Sequence, residues 1–175
     1  MGMKVLIVED EPDLLAMMAE SFRKADIEVY TAGNGELGLE LFRAVQPDLV
    51  ITDIVMPAKE GMALIMDIKR CRPDIPVIAI SGGGTRACKH YLRWAKELGA
   101  ALVLQKPFRM SILLMMARFL IEKAAQAESQ ATPAPVRSAQ GSAAAPARQA
   151  VAELGDLFED LFEDPMGLGA SFNPV

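Results

Sequence analysis

The sequence predicts an α/β fold, one open, doubly wound parallel sheet with helices on both faces. Two observations predict it. Over residues 1–128, short continuous runs of β-branched residues and Leu alternate with longer stretches of helical periodicity, and such runs are expected of strands buried on both faces. The length of 175 residues also suits one domain of this kind plus an appendage.

In chain order, Val5-Leu6-Ile7-Val8 is the first strand. Pro12 to Lys24 follows as a helix, with Pro12 suited to the first turn because its missing N–H has no partner there. Glu28-Val29-Tyr30-Thr31-Ala32 is a weaker strand, and Glu36 to Val45 is the second helix. Leu49-Val50-Ile51 is a strand, with a helix from about Gly61 to Arg72. Val77-Ile78-Ala79-Ile80 precedes a helix from Thr85 to Leu98, which Gly99 is placed to cap. Ala101-Leu102-Val103-Leu104 and a helix from Ser111 to about Ala127 complete five strands and five helices.

The charge is unevenly placed. The chain has 18 Lys and Arg against 23 Asp and Glu, a net −5. Residues 1–128 are nearly neutral at −1, residues 129–150 carry only Arg137 and Arg148, and residues 151–175 carry six acids and no base. The acidity thus belongs to the last 25 residues, and it weighs against nucleic-acid binding. No apolar run approaches the roughly 20 residues that span a bilayer, so no membrane partner is expected. The N-terminal run turns acidic at Glu9 without a small-residue cleavage site, and Cys71 and Cys88 form neither a disulfide framework nor a ligand cluster. Both features point to a reducing, cytoplasmic setting.

Three segments follow from composition: a globular domain at 1–128, a linker at 129–150 and an acidic tail at 151–175. The linker holds eight Ala, three Pro, three Ser and three Gln with a single Val as its larger aliphatic, too little apolar surface to offset the entropy of ordering. It reads as a flexible extension reaching about 25 Å. In the tail, Leu154, Leu157, Phe158, Leu161 and Phe162 recur at helical spacing with acids between them, predicting a short amphipathic helix over 153–164 that ends before Pro165. A helix that short needs a surface to pack on, so these five residues are candidates for partner binding. Docking on its own globular domain and a purely solubilising role are the other two readings.

Ligands of open parallel sheets sit beyond the carboxyl ends of the strands. There this chain places Glu9 and Asp10, then Asp53, then Ser81-Gly82-Gly83-Gly84, then Lys106-Pro107. Clustered carboxylates repel unless a cation neutralises them, and a hard divalent ion such as Mg²⁺ meets that need. A carboxylate nucleophile, a metal, a hydroxyl and an ammonium together suit phosphoryl transfer. Asp53, at the end of a central strand, is the candidate nucleophile. The glycine run lacks the Gly-Lys-Ser/Thr of a P-loop and reads as a switch loop.

Glu9-Asp10, Asp53-Ile54-Val55-Met56-Pro57, Ser81-Gly82-Gly83-Gly84 and Lys106-Pro107-Phe108, in this order, resemble the CheY-like receiver domain of two-component response regulators over residues 3–125. The resemblance implies a flavodoxin-like sheet of order 2-1-3-4-5. It implies Mg²⁺ held by Asp10, Asp53 and the backbone carbonyl of Val55, with Glu9 assisting. Asp53 would accept a phosphoryl group from a histidine kinase or histidine phosphotransfer protein, while Ser81 and Lys106 bind its oxygens. The Lys106–Pro107 bond is expected to be cis.

Val103 occupies the position where the family usually carries an aromatic switch residue, so the switch pair here would be Ser81 with Val103. Val55 and Gly83 stand where the family tunes self-hydrolysis, and neither side chain can hydrogen-bond the attacking water, which implies slow to moderate hydrolysis. The implied function is phosphorelay signalling through protein contacts with no DNA-binding output, and no chemistry beyond the domain's own phosphorylation and dephosphorylation. The target protein is unknown, with the tail or the fourth-helix and fifth-strand face as its contact, and a homodimer is left open. The alternative is a phosphorylation-independent adaptor acting through the acidic tail. His90 reads as a surface residue of the fourth helix, and Trp94 as either packing there or marking a partner surface.

Overall fold

The computed structural model describes residues 2–56, 61–82 and 93–130, excluding the side chains of 128–130. Five parallel strands form one sheet: β1 (Lys4–Val8), β2 (Glu28–Ala32), β3 (Leu49–Asp53), β4 (Val77–Ser81) and β5 (Leu102–Gln105). Their order is β2-β1-β3-β4-β5, the doubly wound flavodoxin-like arrangement. The helices are α1 (Pro12–Arg23), α2 (Gly35–Val45), α3 (Gly61–Cys71), a fourth helix α4 of which residues 93–97 are described, and α5 (Met110–Gln130).

The apolar runs become strands because both faces of the sheet are covered. Leu6, Val8, Val50, Val77 and Ala79 face one core with Phe42 of α2 and Leu64, Ile65 and Ile68 of α3. Alternate residues, among them Val5, Ile7, Ile51 and Ile78, point to the other side and are also buried, with Met18 and Phe22 of α1. On this side α1 and α5 meet. β3 and β4 are buried at every position, as central strands should be.

The ends of the elements follow local chemistry. Pro12 opens α1 as expected. Asn34 caps α2, its Oδ1 accepting the Leu37 N–H at 2.9 Å, so the helix starts at Gly35, one residue before the sequence reading. Gly99 has φ +98°, the left-handed conformation of a residue that ends a helix. α5 starts one residue earlier than expected and runs to Gln130, two residues into the segment read as linker; nothing in Ser129-Gln130 stops a helix, whereas Pro133 lies just beyond.

Five strands set five carboxyl ends at one edge. Pairing in register places Val8 beside Thr52, Asp53 beside Ile80 and Ser81 beside Gln105. The residues that follow β1, end β3 and β4, and follow β5 are thereby gathered. Among the described residues no helix is long and apolar enough to cross a membrane.

Candidate phosphoryl-accepting site

Glu9 follows β1 directly, its backbone N–H donating to the Ala32 carbonyl of β2 at 3.1 Å, and its side chain is turned inward to 1% exposure. Asp10, the next residue, is exposed. Asp53 ends β3 at 5% exposure, and Ser81 ends β4 fully buried. One oxygen from each of Glu9, Asp10 and Asp53 lies within 4.8 Å of the others. The three carboxylates predicted from sequence to converge are therefore together.

Lys106 completes the cluster. Its Nζ donates to both Glu9 oxygens at 2.9 Å and to Asp53 Oδ2 at 2.5 Å. Its backbone N–H donates to the Ser81 carbonyl at 2.8 Å, tying the segment after β5 to the end of β4. The Lys106–Pro107 bond is cis, as the motif implies. The second Asp53 oxygen, Oδ1, accepts the Val55 N–H at 2.9 Å, so the carboxylate is held on one side by backbone and on the other by the ammonium. Val55 itself projects its side chain outward, at 51% exposure.

These contacts shift titration in one direction. Burial pushes the Glu9 carboxyl above its usual 4.5; the Lys106 hydrogen bond pulls it down, and the negative Asp53 beside it pushes it up again. For Lys106, burial alone would lower the pKa, but the hydrogen bonds it donates to Asp53 and Glu9, with their charges, together hold it above the ordinary 10.5. The ammonium stays charged. It is the one described cation bonded to this pair of buried carboxylates.

Three neighbours shape the cluster by contacts that the sequence reading did not give, among them Gly82, which that reading places in a switch loop. An ideal Cβ on Gly61 would lie 1.8 Å from the Asp53 carbonyl oxygen, so only glycine fits where α3 begins. One on Gly82 would lie 3.0 Å from Lys106 Cδ, so the bare backbone seats the lysine stem. Thr52 Oγ1 donates to the Asp53 carbonyl at 2.9 Å from a fully buried position. The close approaches of the two glycines could not be read from sequence because a close approach is a property of two segments at once. Thr52 left a signal, a hydroxyl in an otherwise apolar run.

Of the switch pair, Ser81 is at the site, whereas Val103 sits mid-strand opposite Ala79, packed partly buried against the core. Trp94 is half exposed, at 50%. The tail residues Leu154, Leu157, Phe158, Leu161 and Phe162, together with Gly83, His90 and Cys88, lie outside the described residues.

The family model of the response regulator receiver domain matches residues 5–118. The chain belongs to this family. Receiver domains are phosphoryl-accepting signalling modules rather than enzymes acting on a separate substrate, and they typically bind Mg²⁺. Among curated relatives, the receiver is 33% identical over 109 residues to the probable C4-dicarboxylate response regulator DctR of Bacillus subtilis, 61% of this chain and 47% of that one. It is 31% identical over 108 residues to sporulation initiation phosphotransferase F of the same organism, 62% of this chain and 85% of that one. The chain spans half or less of the length of most curated relatives it matches. Among solved structures, the receiver domain of NtrX from Brucella abortus superposes with TM-score 0.63 at 30% identity, covering 67% of this chain and 98% of that one. A CheY-like receiver domain protein from Methanospirillum hungatei superposes with TM-score 0.68 at 21% identity, covering 73% and 99%, a likeness of fold.

Proposed function

We propose that this receiver accepts a phosphoryl group on Asp53 from a phosphohistidine of a histidine kinase or histidine phosphotransfer protein, and thereby switches its protein contacts. The observation that carries this reading is the placement of Asp53 at the end of β3, its two oxygens divided between the Val55 N–H and the Lys106 ammonium. An Asp53 oxygen attacks phosphorus, the phosphorus–nitrogen bond breaks, and the imidazole leaves with the electron pair. Lys106 and Ser81 then bind the incoming phosphoryl oxygens, where charge accumulates.

The donor set fits Mg²⁺, since it consists of hard oxygens drawn from Glu9, Asp10 and Asp53. Asp10, Asp53 and the Val55 carbonyl would hold the ion, with Glu9 assisting. When bound, the ion offsets the negative charge that phosphorylation concentrates there. The tail residues Leu154, Leu157, Phe158, Leu161 and Phe162 are assigned to a partner protein's groove. The experiment is incubation with acetyl phosphate and Mg²⁺ followed by intact-mass measurement. A gain of roughly 80 Da in the wild type, absent in Asp53→Ala, is expected; an adduct that survives Asp53→Ala would move the acceptor elsewhere.

A further inference from the structure

β3 is buried along its whole length, and Leu49, Val50 and Ile51 fill it with aliphatic side chains. Thr52 breaks that pattern from a fully buried position. A hydroxyl there costs free energy unless it is hydrogen-bonded, and valine would fill nearly the same volume without that cost. Its bond runs to the carbonyl oxygen of Asp53, at 2.9 Å.

That carbonyl is constrained from a second side. The Cα of Gly61 faces it so closely that an ideal Cβ would stand 1.8 Å from the oxygen, and the Gly61 N–H donates to the next carbonyl, that of Ile54, at 3.0 Å. The Ile54 N–H donates to Ile80 of β4 at 2.8 Å. The peptide joining Asp53 to Ile54 is thus gripped at its oxygen by Thr52 and at its nitrogen by β4. Beyond it, the Val55 N–H turns back to Asp53 Oδ1 at 2.9 Å, and this bond leaves Oδ2 to Lys106.

We infer that Thr52 is a positioning residue for the Asp53 carboxylate: its hydroxyl sets the Asp53–Ile54 peptide so that the Val55 N–H captures Oδ1 and presents Oδ2 to Lys106. The inference deepens the phosphoacceptor reading and rests on it for its effect on phosphorylation. Reactions of this kind depend steeply on the orientation of the reacting group, so a loosened carboxylate reacts more slowly even in an intact fold. The residue acts through the Asp53–Ile54 peptide, the group its hydroxyl bonds.

The test compares Thr52→Val and Thr52→Ser in the full chain. Two quantities are measured: the amide proton shift of Val55 in cation-free protein, and the rate of Asp53 phosphorylation by acetyl phosphate with Mg²⁺. Thr52→Val is expected to move the Val55 amide proton upfield, as a weakened hydrogen bond does, and to slow phosphorylation about five- to tenfold. Thr52→Ser is expected to restore both, the rate to within about twofold of wild type. A Thr52→Val protein with wild-type Val55 shift or wild-type rate overturns the inference, as does a Thr52→Ser protein as slow as Thr52→Val. If Thr52→Val does not fold, Thr52→Ser compared with Thr52→Ala decides on the same two quantities. The Val55 shift reports positioning whether or not Asp53 is the acceptor, and Asp53→Ala reports the acceptor alone, so the two ideas fail separately.

Discussion

At Glu9 burial and charge pull against each other. Its carboxyl is sealed from water yet bonded through both oxygens to Lys106, and burial together with Asp53 wins, leaving its pKa raised. A carboxyl raised in the folded state contributes stability that is fully present below its unfolded value and is lost as pH rises through the folded one. In cation-free protein, the stability difference between wild type and Glu9→Gln is therefore expected to shift against wild type as pH increases from about 4.5. Urea unfolding at a series of pH values checks it, and a difference that moves the other way would mean that Lys106 dominates Glu9. Glu9, Asp10, Asp53, Ser81 and Lys106 were legible in the sequence because each follows or ends a run of strand residues, and parallel strands deliver their carboxyl ends to one edge. The contacts of Gly61 and Gly82 were not, since they run across 8 and 24 positions of chain, to Asp53 and to Lys106, and Thr52 showed only as a hydroxyl in an apolar run.

Among the elements, α2 shows how much of a boundary is local. Asn34 accepts the Leu37 N–H, satisfying one of the amides that the first turn leaves without a partner. Asn34→Ala is expected to lower the unfolding free energy by about 1 kcal/mol, while Asn34→Asp holds it near wild type; chemical denaturation measures both. α5 makes the opposite point. Its start and its extension to Gln130 differ from the periodicity, because apolar periodicity reports the packed face of a helix and says little about a polar last turn. The strands were the most legible elements: with both faces covered, β3 and β4 carry apolar runs, Leu49–Ile51 and Val77–Ile80, that left no ambiguity of period. The weaker run at Glu28–Ala32 became an edge strand, with only Ala32 buried, and edge position explains its mixed composition.

At the scale of the whole molecule, a nearly neutral receiver precedes a segment of six acids and no base. The receiver's own acids have Lys106 for company, whereas those of residues 151–175 have no cation in their segment. Deleting residues 151–175 is expected to leave the rate of Asp53 phosphorylation by acetyl phosphate within about twofold of wild type, because the groups assigned to that reaction all belong to the receiver. The same intact-mass assay, followed over time, measures it, and a larger change in rate would tie those residues to the site. By itself the sequence determined the class of fold, the alternation of its elements and which polar groups gather at the strand ends, because hydrophobic period and residue type are local properties. Only the tertiary structure decided which oxygen of Asp53 meets Lys106, that Glu9 gives both of its oxygens to the same ammonium, and that Thr52 and Gly61 grip the peptide behind the carboxylate. Those are distances of a few ångströms that close packing sets, the Lys106 contacts spanning 97 and 53 positions of chain.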